Sequence, residues 1–183
     1  MKTQINLKLR ADILEKLDEK AKKEHRNRTN LIEKILIDEL LVTQHWLAVK
    51  MNINDPGADL EEGDEGIWEG CDVLVKKGDK ILIYRTSPHM HIKYLAETTE
   101  DAKEGIIDNY KGEKIKNHLC GFKVLYNFED PLTFKEIKDY PSLVEWYPLK
   151  SNLNRQAFII EEKDWNTLRD ILITKNRNSK DFF

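Results

Sequence analysis

The most constraining feature of the chain is a strand with no partner beside it. The stretch "QINLKL", Gln4 to Leu9, alternates polar and apolar residues one for one, the period of a half-buried strand. Ile5, Leu7 and Leu9 face one way, and Gln4, Asn6 and Lys8 the other. The next stretch, Arg10 to Val42, reads as two helices and offers no second strand. A lone strand leaves its N–H and C=O groups unpaired. Two short helices cannot bury a core by themselves. Both problems vanish if two copies of the chain associate, with the strands antiparallel across a twofold axis. Such a ribbon fits a DNA major groove, with its outward side chains against base edges.

The first helix is expected over Ala11 to Glu24, with Ile13, Leu14, Leu17 and Ala21 in one stripe. The second is expected over Asn30 to Leu41. There Leu31, Ile32, Ile35, Leu36 and Leu40 share a side that Glu39 interrupts. Thr29 is the expected N-cap, with Glu33 near the positive end of the helix. Asn27 is expected to take the tight or left-handed turn between the helices. Taken together, "QINLKLRADILEKLDEKAKKEHRNRTNLIEKILIDEL" resembles a ribbon-helix-helix domain of the Arc and CopG kind. The resemblance implies an intertwined homodimer over residues 1–42 that binds duplex DNA. It maps base-reading roles onto Gln4, Asn6 and Lys8, and phosphate contacts at the start of the second helix onto Arg28, Thr29 and Asn30. Charge agrees in sign: residues 1–42 carry net +2 and the remainder net −5. A dimerisation module that binds no DNA is the competing reading of the same residues.

From Gln44 the pattern turns to strands. "HWLAVKM" opens, and an acidic loop from Asp55 to Glu65 follows, with six carboxylates and no base. "GIW" leads through a short turn to a strong strand over Lys80 to Tyr84, set up by the "KKGD" turn. "HIKYLAETTE" and "GFKVLYNFED" read as further strands. A short helix follows near Thr133 to Lys138, then a last strand and a helix over Asp164 to Ile173. The end, "KNRNSKDFF", reads as a frayed tail. The expected class is therefore α+β: a ribbon-helix-helix unit plus a barrel-like sheet of five or six strands with short helices. "HWLAVK", "KKGDKILIYRT" and "DPLTFKEIKDYPSLVEWYPLKSNLNRQAFIIEEKDWNTL" resemble, in that order, an EVE domain. EVE domains are members of the PUA-like superfamily that also includes YTH and ASCH domains. The expected domains are residues 1–42, 44–175 and a flexible tail over 176–183. The acidic loop and the stretch from Thr98 to Cys120 match no part of the family pattern.

That resemblance implies an aromatic pocket for a modified nucleobase. Trp68 in "GIWEG" is similar to the cage tryptophan of YTH domains. By analogy the same mouth would be lined by Lys50, Asn52, Thr86, Ser87, Trp146, Ser151, Asn152 and Asn154, with Arg155 pairing a phosphate. A flipped base stacks on indole rings while polar groups read its edge. Trp46 and Trp165 lie inside periodic segments and read as core.

Other chemistry finds little support. His89 and His91 form an HxH with no third ligand nearby, and neither Cys71 nor Cys120 lies in a nucleophile signature. No enzyme activity, metal or cofactor is expected. No run approaches the ~18 apolar residues of a membrane span, and two isolated cysteines suit a reduced, cytoplasmic setting. The expected function is a dimeric DNA-binding protein, a transcription regulator or modified-DNA reader, whose second domain binds a modified base or nucleotide-like ligand. The alternative is an antitoxin-like or assembly module in which that domain contacts a protein.

Overall fold

The structure, a computed structural model, describes residues 8–40, 43–50, 59–108 and 111–183. It divides into two units, Met1–Val42 and Thr43–Phe183.

The first unit contains two helices, α1 (Ala11–Lys23) and α2 (Arg28–Leu40). On α1 the predicted stripe is seen in Leu14 and Leu17, which are half-buried, and Ala21, which is buried. Ile13, on the same stripe, stays 37% exposed. The turn differs from expectation at two residues. His25, not Asn27, takes the left-handed conformation, with φ 53°. Asn27, not Thr29, caps α2: its Oδ1 accepts from the Asn30 amide at 2.8 Å, and its carbonyl accepts from Leu31 at 3.1 Å. A side-chain oxygen three residues before an orphan amide is the N-cap geometry, so the helix begins at Arg28. The strand residues Gln4 and Asn6 lie outside the described residues, and Lys8 is exposed.

Among its described residues the second unit is built on one sheet of seven strands. They are β1 (His45–Lys50), β2 (Glu65–Glu69), β3 (Lys80–Arg85), β4 (His91–Thr98), β5 (Lys103–Asp108), β6 (Lys114–Thr133) and β7 (Ala157–Ile160). The order is β2-β6-β4-β3-β1-β7, and β5 also pairs with β6. Among the described residues only the β1–β3 pair is parallel. The long β6 serves three partners in turn: β5 along its first residues, β2 from Leu119 to Lys123, and β4 from Phe122 to Thr133. The count exceeds the expected five or six because "EGIWE" is a strand and because 98–120 forms a hairpin. Among the described residues this unit also has three α-helices, α3 (Phe134–Asp139), α4 (Tyr147–Lys150) and α5 (Glu162–Lys175), and two short 3-10 turns, Pro141–Leu143 and Arg177–Phe182. A capping box between Thr133 and Glu136 starts α3.

The central strands are buried on both faces, so the middle of β3, Ile81 to Tyr84, is an unbroken apolar run, where a one-sided strand would alternate. Leu47, Val49, Leu82, Tyr84 and Leu95 point to one side. There α5, through Trp165, Leu168, Ile171 and Leu172, joins Ile137, Leu143 and Trp146 to cover the sheet. Trp46, Ala48, Ile81, Ile83, Tyr94 and Ala96 point to the other side. That side is covered by Trp68, Cys71, Val75, Cys120 and Val124, residues of the sheet itself and its connections.

Residues 176–183, expected as a frayed tail, dock instead. The Asn176 side chain exchanges hydrogen bonds with the Asp130 backbone at 3.0 and 2.9 Å. A 3-10 turn over Arg177–Phe182 follows, and the Phe183 ring lies 5.7 Å from that of Trp165. Two terminal phenylalanines supply apolar area that a polar-looking segment conceals.

Asp79 joins the start of β1 to the start of β3. Its carboxylate, 1% exposed, accepts from Gln44 N at 2.9 Å, Trp46 Nε1 at 2.8 Å and Lys76 N at 2.9 Å. Burial holds its carboxyl above the ordinary value, against the pull of those donors. Asp79→Ala leaves the donors without their acceptor. The expected loss is at least about 3 kcal/mol, read as a lower urea midpoint with an unchanged slope.

Candidate functional site

On the face of the sheet opposite α5 lies a cavity of about 390 Å³, within the range of small-ligand sites. Its walls come from β1 (Ala48, Val49), β2 (Gly66 to Glu69), β3 (Ile81, Ile83) and β6 (Phe122), with Leu60 and Gln156. The strand alternation that places Trp46 and Ala48 on this face also places Ile81 and Ile83 here. Trp68 is 8% exposed and meets Trp46 edge to face, with centroids 6.4 Å apart at 69°. Trp46 is in turn held by its bond to Asp79. Phe122 lies over Gly66, so closely that a Cβ there would come 2.8 Å from its Cζ.

The segment at one rim is tied down by polar contacts. Leu60 donates its amide to the Tyr94 hydroxyl at 3.2 Å, and its carbonyl accepts from Asn127 Nδ2 at 3.0 Å. Asp59 pairs with the buried guanidinium of Arg85, which holds the Asp59 carboxyl below the usual range. Behind Trp68, Cys71 and Cys120 share a hydrogen bond; that bond and burial push the Cys120 thiol up. Both cysteines are free and buried.

Of the side chains singled out from sequence, Trp68 lines this cavity. The others are placed elsewhere among the described residues. Trp146 is buried in the cluster on the opposite, helix-covered face. Thr86 and Ser87 belong to the turn between β3 and β4, where the Thr86 carbonyl accepts from His89 and Met90. Ser151 closes α4 through a bond to the Pro148 carbonyl at 3.1 Å. Asn152 takes a left-handed φ of 51°, and Asn154 is exposed. Arg155 lies over the Tyr147 ring at 5.6 Å. Asn52 and the side chain of Lys50 lie outside the described residues. Trp46 and Trp165 are core, as read. Phe122, Leu60 and Gln156 escaped the sequence reading. The signal for two of them was the pair of glycines bracketing Trp68: Gly66 makes room for Phe122, and Gly70 for Gln156.

In the first unit, Arg28 forms a two-pronged ion pair with Asp18, at 2.6 and 2.5 Å. Thr29 and Asn30 are exposed in the first turn of α2. Among the described residues no group of three metal-ligating side chains converges, and no helix is long and apolar enough to cross a membrane.

Comparison with known proteins places this unit. The EVE domain family matches residues 44–171. No curated protein matches the chain in sequence. Among solved structures, a hypothetical protein from Leishmania major aligns with TM-score 0.56 at 14% identity, covering 73% of this chain and 97% of that one. Protein Atu2648 from Agrobacterium tumefaciens aligns at 0.51 and 16%, covering 73% and 94%. The human THYN1 protein, in complex with 5-methylcytosine-containing DNA, aligns at 0.52 and 12%, covering 73% and 98%. At these identities the likeness establishes the fold, a mixed α+β sheet with a few helices.

The cavity wall makes one direct prediction. Gly66→Ala is expected to force the Phe122 ring from its place, costing about 1–3 kcal/mol. Urea unfolding followed by tryptophan fluorescence measures it.

Proposed function

Because the chain belongs to the EVE domain family, we propose that it is a reader of a modified base in DNA, with the cavity beside Trp68 receiving the flipped base. The observation that carries this reading is the cavity itself: base-sized, mostly apolar, and walled by Trp68 and Phe122. A planar base stacks on aromatic faces whatever its edge, and a methyl group on it finds Ile81, Ile83 and Leu60. The human THYN1 protein, which shares the fold, was solved with 5-methylcytosine-containing DNA. The reading assigns no catalytic step and no cofactor. Net −5 over this part of the chain argues against a broad phosphate-binding face, because polyanion affinity rests on cationic contacts. One base in a cavity needs no such face.

Anchoring on duplex DNA then falls to the first unit, acting as a ribbon-helix-helix homodimer. Two observations favour this. Ile13 and Leu36 are 37% and 49% exposed, apolar surface that a second copy would cover. The start of α2, with Asn27 as its cap, presents backbone amides and exposed Thr29 and Asn30 toward any phosphate. Arg28 joins them only by exchanging Asp18 for that phosphate. A protein of this design serves as a transcription regulator or a modified-DNA reader.

Two measurements test the reading. Tryptophan fluorescence titration is expected to show tighter binding of 5-methylcytosine-bearing than of unmodified oligonucleotides. Trp68→Ala is expected to lose about 1–3 kcal/mol of that affinity. Equal binding of modified and plain DNA by the unaltered protein removes the base-reading claim. For the anchor, Ile13→Glu with Leu36→Glu is expected to convert dimer to monomer in light scattering and to weaken duplex binding. A monomeric parent protein refutes the dimer.

A further inference from the structure

The sheet of the second unit ends on β7, and among the described residues that strand pairs with β1 alone. The hydrogen bonds fix which of its backbone groups are used. The Val49 amide donates to the Gln156 carbonyl at 3.0 Å. That contact continues the register that sets Ala48 opposite Ala157 and Leu47 opposite Phe158. In an antiparallel pair, residues that exchange hydrogen bonds alternate with residues that do not. Gln156, Phe158 and Ile160 therefore turn their N–H and C=O groups to β1, and Ala157 and Ile159 turn theirs to the open edge. Open edges are ordinarily shielded by a charge, a proline or a bulge. The strand β7 reads "AFII" in an unshifted register and has none of these. The Ile159 side chain is 52% exposed. Tyr147, whose ring meets that of Phe158 edge to face at 6.0 Å, is 54% exposed.

We propose that this edge pairs with β7 of a second copy of the chain, antiparallel, across a twofold axis at Phe158. Hydrogen bonding and charge both select that occupant and register. The outward backbone groups belong to odd-numbered residues, so a ladder forms only where odd faces odd. Setting Ala157 opposite the partner's Ile159 uses all of these groups, and symmetry repeats the pair on the other side of the axis. The same register brings Arg155 of each copy level with the partner's Glu161, so opposite charges meet at both ends of the ladder. The stretch "RQAFIIEE" is in this sense complementary to itself in reverse. Exposed Ile159 is then covered by the partner's Ala157, an apolar pair on one face, while Phe158 faces the partner's Phe158. Such a contact is isologous and closes at two copies. Its axis runs perpendicular to the sheet, so the joined sheet carries both Trp68 cavities on the same face at a fixed separation. The contact is distinct from the one assigned to the first unit and does not depend on it.

Introduced cysteines read the register. Full-length chains carrying Ala157→Cys and chains carrying Ile159→Cys, with different tags, are co-expressed and mildly oxidised. Disulfide-linked species are then measured on a non-reducing gel. Directly opposed residues of this kind lie ~5.5 Å apart at Cα, within disulfide reach. The same position in the two copies lies on the diagonal, ~7–8 Å apart, at or beyond the limit of that reach. The mixed pair is therefore expected to cross-link severalfold more than either variant alone. The parent, whose own two cysteines are buried, is expected not to cross-link. Arg155→Glu in both chains is expected to lower the mixed yield severalfold, and adding Glu161→Arg to restore it. Urea midpoints check that each variant is folded. The inference is overturned if the folded mixed pair links no more than the single variants do. A dimer held by the first unit alone gives that result, so the measurement separates the two contacts.

Discussion

The carboxylate of Asp79 is the contact on which the sheet and its cavity both depend. It is a carboxyl group 1% exposed to solvent that accepts from three N–H donors, two at the start of β1 and one in the turn before β3. Gln44 brings the start of β1, Lys76 the turn before β3, and Trp46 an indole from the cavity side of the sheet. The Thr98 hydroxyl completes the corner by accepting from the Asp79 amide at 2.9 Å. A buried polar group costs free energy unless its hydrogen bonds are made, so these segments come together as one unit. The consequence runs on to the cavity. Trp46, aimed by Asp79, sets its ring against the edge of Trp68, and Trp68 forms the wall. The shape of a ligand-sized space is thus decided in part at the far end of β1.

Burial on two faces explains where that space can exist. On one face, α5 and the shorter helices supply large side chains that interdigitate with the sheet, and the layer closes. The other face is covered by β2, β6 and the stretch that carries Cys71 and Val75. A sheet closing over its own strands cannot fill space as helix side chains do. Gly66 and Gly70 add to the deficit by omitting side chains on either side of Trp68. The gap so left is apolar, and the polar Gln156 carboxamide reaches over its edge.

Much of this was legible in the chain. The "KKGD" turn is built as its residues suggest, with Gly78 at φ 88° and Asp79 capping. Trp46 and Trp165 are core, and Trp68 lines a cavity. The misplaced residues share a cause. Trp146 and the polar residues of 151–154 are read into the pocket by analogy with the family. Whether such a side chain faces a cavity depends on which sheet face its segment packs against. Trp146 belongs to the helix-covered face, and no local pattern distinguishes the two faces of a strand buried on both. Asn27 and Thr29 are both good caps; which one starts α2 turns on the bend at His25.

The amino-acid sequence by itself determined the grammar: two helices in the first unit, strands and short helices in the second, and an indole at 68 flanked by glycines. These follow from periodicity and local propensity, which act over a few residues. Only the tertiary structure decided what stands opposite Trp68. Phe122 and Leu60 arrive from 54 residues downstream and 8 upstream, and Gln156 from the far side of the sheet. Their meeting is set by strand order and register, in which β6 pairs with β2 while β7 pairs with β1. Such pairings minimise the free energy of the whole sheet at once, and no single segment carries the information to predict them.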